Sequence, residues 1–226
     1  MNFPHNKSVF SIKEALAYPF VTFYNRPLAV LGITLSAFIY FIPTFILAGI
    51  FFLLNRDTLL YSNFTFTNLL YNKINLILVI AILLIGIIGV LWYRVFLISS
   101  AVKLYNKKEI EFSDLFEKSD SILKLLGYYI LFGLLFALGL VLLVIPGIYW
   151  YITYVFGEFF IVDKGADVFE AFTKSAKITS GLKLKLFGYF ILLTILVSLL
   201  SLVPIVAILI EPIRIISKVY VYKKIS

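Results

Sequence analysis

"VIPGIYWY", residues 144–151, lies inside an apolar run that begins at Leu125 and ends at Gly157, closed by Lys124 and Glu158 with no charge between them. As one helix the run would be about 50 Å long at 1.5 Å per residue, against a bilayer hydrocarbon core of about 30 Å. Proline removes a helical donor and clashes with the preceding turn, and glycine accepts a reversing backbone. Pro146-Gly147 therefore reads as the tip of a tight helical hairpin. One helix runs out from Leu125 to Ile145 and another returns from Ile148 to about Val162. The competing reading is a single kinked, tilted helix, since proline kinks are tolerated in membranes. Charge separates the two. Lys103, Lys107, Lys108, Lys118 and Lys124 precede the run, and Lys164, Lys174, Lys177, Lys183 and Lys185 follow it. Basic segments stay on the cytoplasmic side, and only a hairpin keeps both there.

The same logic extends along the chain. Apolar blocks cover Leu28 to Leu54, Ile74 to about Val102, Leu125 to Gly157, and Leu186 to about Ile210. In the last, Pro204 of "SLVPIVAI" sits mid-block, and a second hairpin there would return Lys218, Lys223 and Lys224 to the cytoplasm. The return limb is weaker, because it carries Glu211, Pro212 and Arg214.

Composition agrees with a bilayer protein. The 226 residues are 62% hydrophobic and 14% charged, against roughly 45–50% apolar and about 25% charged in soluble domains. The net charge of +8 would suggest nucleic acid in a soluble chain. Here the lysines lie between apolar blocks, where they orient the chain and meet anionic lipid, so no nucleic-acid partner is expected. The absence of cysteine excludes disulfides and thiol chemistry. His5 reads as an exposed terminal residue. The first 25 residues lack a short apolar core followed by a small-residue cleavage site, so no secretory signal is expected.

Three segments share a pattern ahead of a crossing: "SIKEALAYPF" from Ser11, "DLFEKSDSIL" from Asp114 and "DVFEAFTKSA" from Asp167. Each opens with a capping residue and has Glu three places on, at Glu14, Glu117 and Glu170, which is capping-box spacing. Each continues with helical apolar periodicity, for example Val168, Ala171, Phe172, Ala176 and Leu182. A proline follows each cap at a similar distance: Pro43, Pro146, Pro204. The expected fold is a single all-α membrane domain of about six transmembrane helices in three proline-turned hairpins, each preceded by an amphipathic helix. Its pseudo-repeats are about 8–102, 103–163 and 164–226, with both termini cytoplasmic. In the first, the polar stretch Asn55 to Lys73 enlarges the outer connection and Pro43 is a kink rather than the turn. The amphipathic helices are expected to lie in the headgroup plane or cap the cytoplasmic ends, or else to be ordinary cytoplasmic connectors with solvated charges.

Charges inside apolar blocks are candidates for function. They are Arg94, Glu158, Glu211 and Arg214. Glu211, Arg214 and Lys218 share one face of the last helix and are expected to face the bundle interior or cytoplasmic water. Glu158, among Phe156, Phe159 and Phe160, is expected to pair with Arg94 or Arg214. Structural pairing, snorkelling at the interface, and a transport or proton-handling role are all open. Gly32/Ser36 and Gly133/Ala137 match small-xxx-small spacing for close helix approach. Asn63-Phe64-Thr65 fits a glycosylation acceptor, without meaning in a prokaryote. No phosphate-binding loop, HExxH or Ser/His/Asp set is present, and Glu109, Glu111, Asp114, Glu117 and Asp120 read as a solvated face. No catalytic residue, cofactor or metal is expected.

The stretch "VLLVIPGIYWYITYVFGEFFIVDKGADVFEAFTKSAKITSG" resembles the bacterial and archaeal six-helix membrane proteins of unknown function related to the membrane domain fused to glycerophosphodiester phosphodiesterases. The shared features are Ile145-Pro146-Gly147, the corner Asp163-Lys164-Gly165, Glu170-Ala171, Ser175 and Gly181, with Pro212 and Tyr220 near the end. The clear similarity covers residues 112 to 222. The resemblance implies a six-crossing helical fold and supplies no catalytic residue. The expectation is a scaffold in the plasma or inner membrane that binds anionic headgroups, a protein partner or a second copy. The alternative is a small transporter or channel using the intramembrane charges.

Overall fold

In a computed structural model that describes residues 10–56 and 73–226, the apolar blocks form long helices and no strand is present among the described residues. His5, the sequon at Asn63 and most of the polar stretch after Asn55 lie outside the described residues. The helices are α1 (Ile12–Asn25), α2 (Pro27–Leu54), α3 (Lys73–Tyr105), α4 (Ser121–Leu142), α5 (Val144–Tyr154), α6 (Gly157–Lys164), α7 (Val168–Thr179), α8 (Lys183–Ser201), the short α9 (Pro204–Ala207) and α10 (Ile210–Ile225). Five stretches of described helix are long and apolar enough to cross a membrane: α2, α3, α4, Val144–Lys164 and α8. The last helix has only 16 residues and carries Glu211, Arg214 and Lys218.

Two compact units make up the chain. One runs up to Thr34 and resumes over Val95–Ser226; the other is Leu35–Arg94. In the second unit α2 and α3 are antiparallel. A Cβ on Gly89 would lie 2.9 Å from the Tyr40 carbonyl oxygen and one on Gly86 3.7 Å from Thr44. Further along, Asn55 and Asn75 exchange amide hydrogen bonds of 3.0 and 2.7 Å. Pro43 lies within α2, which continues past it, as expected of a residue that does not make the turn.

In the first unit the hairpin forms, but its turn is not at Pro146-Gly147. Helix α4 ends at Leu142 and α5 starts at Val144, with Leu143 extended between them (φ −172, ψ 149). Pro146 falls in the first turn of α5, where backbone N–H groups have no helical acceptor, so its missing donor costs nothing. Gly147 is there for proximity. A Cβ on Gly139 would lie 2.6 Å from the Gly147 Cα and 2.9 Å from the Trp150 ring, so two bare backbones cross at this point. Pairing continues through Phe136 and Phe132 on Tyr151 and through the Tyr128 hydroxyl, which donates to the Tyr154 carbonyl. Pro204 behaves alike. The chain turns at Leu202-Val203 and the proline is the first residue of α9. The two expected small-xxx-small seams are corrected as well: Cβ atoms on Gly32 and Gly133 would meet open space.

The core of this unit sits at its lysine-rich end. Val95 to Val102 of α3, all of Glu158 to Val162, and Ile215 to Tyr222 of α10 are buried, with Ala15, Pro19 and Thr22 of α1. Tyr18, Tyr105 and Tyr220 bring their rings together from α1, α3 and α10. The hairpin tip is the reverse: Val141 to Ile145 are apolar and exposed. That is the inside-out distribution expected where hydrocarbon, not protein, covers a surface.

Of the three expected amphipathic helices, the outer two form at their caps. The Ser11 hydroxyl accepts from the Glu14 N–H, and Asp167 and Glu170 make a reciprocal capping box. The middle one does not. Residues Phe112–Leu115 form a 3₁₀ turn, and α4 starts only at Ser121. Asp114 reaches back to the Glu111 N–H and to Lys103 instead of capping forward.

Candidate functional site

The membrane-length stretch Val144–Lys164 is interrupted at Val155-Phe156, between α5 and α6. An interruption frees backbone groups, and in an apolar surrounding each must find a partner. The structure supplies them from α7. The Ser175 hydroxyl donates to the Thr153 carbonyl at 2.8 Å and accepts from the Phe156 N–H at 3.2 Å. Thr179, one turn on, donates to the same carbonyl at 3.2 Å. Tyr128 satisfies the next carbonyl, that of Tyr154. Its ring lies against Gly157, where any side chain would overlap it.

The amphipathic helix α7 thus turns a small polar stripe inward, Ala171, Ser175 and Thr179, all fully buried. The periodicity in the sequence predicts a stripe of Val168, Ala171, Phe172, Ala176 and Leu182; of these Ala171 is buried and the others are half-buried. Tertiary demand for hydroxyl partners decides the rotation.

Glu158 follows the interruption directly. It is 3% exposed and accepts from the Tyr129 hydroxyl. As the second residue of α6 it also sits where the helix dipole favours a carboxylate. Arg214 takes a different partner from the one expected. It bonds Glu211, three residues earlier in α10, at 2.6 Å, and both are about 40% exposed. Lys218, on the same face, is buried, with its ammonium 5.9 Å from the centre of the Phe190 ring. Arg94 lies in α3, in the unit Leu35–Arg94, half-buried. Pro146, Gly147 and Pro204 shape the hairpin tips.

Beyond Glu158, polar side chains continue through the core. Asp163 accepts from Tyr222 at 3.0 Å and pairs with Lys223 at 2.8 Å. Ser217 donates to the Ala15 carbonyl and meets the Tyr189 hydroxyl, both at 2.8 Å. Tyr220 reaches Glu14. Gly165 ends α6 in the left-handed region (φ 67), fitting the Asp-Lys-Gly corner. Lys118 donates to the carbonyl of Val162, just before the corner, and Lys124 to that of Gly165, its last residue.

Outside the spans, two carboxylates among the described residues are shifted. Burial alone would raise Asp114, but the Lys103 ammonium and the Glu111 N–H outweigh it and hold the carboxyl below its usual range. Glu170 is held low by Lys174 and the Asp167 N–H. None of the described residues form a group of three or more His, Asp or Glu able to hold a metal.

The sequence singled out Glu158 as a charge inside an apolar block and Ser175 only as a feature of the resemblance; it gave no sign of Thr179 and Thr153. The spacing of Ser175 and Thr179 by one turn was visible, but not the broken backbone they serve. Comparison of the chain with protein-family models, with curated proteins and with solved structures finds nothing that matches it.

Proposed function

We propose that the chain is an integral membrane scaffold of six crossings in three hairpins, with its lysine-rich end in the cytoplasm engaging anionic headgroups or a protein partner. The observation that carries this reading is the division of the crossings in the unit that holds α4 to α10. Apolar side chains are exposed toward the tips, while the buried polar network and the lysines gather at the opposite end. A packed core there gives a rigid platform, and lysines are worth about 1 kcal/mol each near an anionic surface. Kinship with the six-helix membrane family belongs to the same reading, through the Ile-Pro-Gly and Asp-Lys-Gly features. The sixth crossing would be α9 and α10 together, held by protein rather than by its own hydropathy.

Topology and role are testable together. A cysteine placed at Lys174 is expected to resist impermeant thiol reagents in intact cells and to react in inverted vesicles. Reaction from outside would overturn the three-hairpin layout. Purification in mild detergent is expected to retain anionic lipid above its share in the membrane. Retention at the bulk ratio, together with conductance or solute flux in reconstituted vesicles, would favour a transporter. That second reading rests on buried Glu158 beside an interrupted helix, a pairing that recurs at transport sites.

A further inference from the structure

A cavity of about 630 Å³ opens where α1 gives way to α2, lined by Asn25 to Ala29 on one side and by Leu104 and Lys108 to Ile110 on the other. Its position is set by Arg26. Two of the five guanidinium N–H donors go to the carbonyls of Lys108 and Lys107, at 2.8 and 3.1 Å. This fastens the end of α3 against the α1–α2 junction and leaves three donors over. Lys107, held in the left-handed region (φ 59), completes the corner. Lys108 is exposed and forms no ion pair among the described residues, and Glu109 is the one carboxylate among the described residues of the lining.

The cavity lies at the foot of a helix long and apolar enough to cross a membrane, and Leu28, on its wall, is 83% exposed. A ligand here would have a polar end between two cations and an apolar end running along α2. That description fits a phospholipid and does not fit a free metabolite or a peptide.

We propose that this cavity binds the phosphodiester of an anionic glycerophospholipid, with Arg26 and Lys108 as its cationic partners and the acyl chains along Leu28. The backbone amides of Leu28 and Ala29 add donors. Glu109 leaves room for one negative charge only and accepts from headgroup hydroxyls, which selects a phosphodiester over a phosphomonoester. The inference rests on the membrane reading above and narrows its lipid contact to one place.

The test is native mass spectrometry of the full chain in detergent, titrated with phosphatidylglycerol or phosphatidylcholine, with inorganic phosphate as a competitor. The expected result is one retained phosphatidylglycerol, bound about five- to thirtyfold more weakly by Lys108→Glu, an amount fitting the loss of one or two lysine contacts at about 1 kcal/mol each. Lys13→Glu, on the exposed face of α1, should leave affinity unchanged. Millimolar phosphate should not displace the lipid. If Lys174→Glu weakens binding and Lys108→Glu does not, the site is wrong while the lipid-binding scaffold stands. If the unaltered protein holds phosphatidylcholine as well as phosphatidylglycerol, the site and the anionic-lipid reading fall together. Displacement by phosphate would overturn the assignment to a lipid.

Discussion

Replacing Gly139 by alanine probes the crossing of α4 and α5 directly. The new methyl would lie 2.6 Å from the Gly147 Cα, 2.8 Å from the Gly147 nitrogen and 2.9 Å from the Trp150 ring. Non-bonded carbons rest at about 3.5–4.0 Å. Two of the three neighbours are backbone, so no rotamer change relieves the overlap; the helices must separate by about 1 Å. Overpacking of this kind costs about 1–3 kcal/mol. Alanine also gains about 1 kcal/mol of helix propensity over glycine, which would blur the result taken alone. Gly133→Ala, in the same helix, supplies the correction, because its methyl meets open space. The difference between the two variants isolates the overlap. At about 2–4 °C per kcal/mol for a chain of this size, Gly139→Ala should melt about 2–12 °C below Gly133→Ala. Tryptophan fluorescence in detergent reads the transition, with Trp150 at the contact. If the two variants melt together, the close crossing at the tip is wrong.

Ser175→Ala removes one of two side-chain donors to the Thr153 carbonyl and the acceptor of the Phe156 N–H; a loss of about 1–3 kcal/mol is expected, with faster hydrogen exchange at the Phe156 amide. The Asp114 carboxyl, held below its usual range, contributes stability that is complete above about pH 4 and is lost as pH falls through its depressed value; melts from pH 6 downward should show this for the unaltered protein and a shallower slope for Asp114→Asn, and equal slopes would count against the Lys103 pairing. The Ser100 hydroxyl is buried without a hydrogen-bond partner among the described residues, so Ser100→Ala should be neutral or stabilising by up to about 1 kcal/mol in the same melts; a clear loss of stability would reveal a partner.

Much of this architecture could be read from hydropathy, because long charge-free runs permit little else. The five apolar helices, the unbroken passage through Pro43 and the reversal between Lys124 and Lys164 follow from run length and proline position. The location of the reversal did not. Leu143 carries no turn signal, and the residues that advertise a turn serve the start of the next helix and its approach to α4. The "DLFEKSDSIL" segment has a cap and a period, yet Asp114 answers Lys103 and Glu111 instead. Tertiary charge overrides a local pattern there. Ser175 and Thr179 were invisible as site residues for a related reason: their role is complementary to a distortion in another helix, and no periodicity encodes that.

The burial of α10 bears on how the chain is made. A segment with three charges in its first nine residues gains little from partitioning into lipid by itself, and its places against α1 and α8 exist only after those helices are in position. Insertion of the earlier spans can proceed one by one as they leave the ribosome, but the platform cannot close until Ile210–Ile225 has been synthesised and has found Ala15, nearly the whole chain away. Until then Ser217, Tyr189 and the Ala15 carbonyl lack one another, and the half-built protein presents a polar cleft where the finished one has a closed core. Quality-control proteases should therefore recognise chains cut before Ile210 far more readily than chains altered at the hairpin tips.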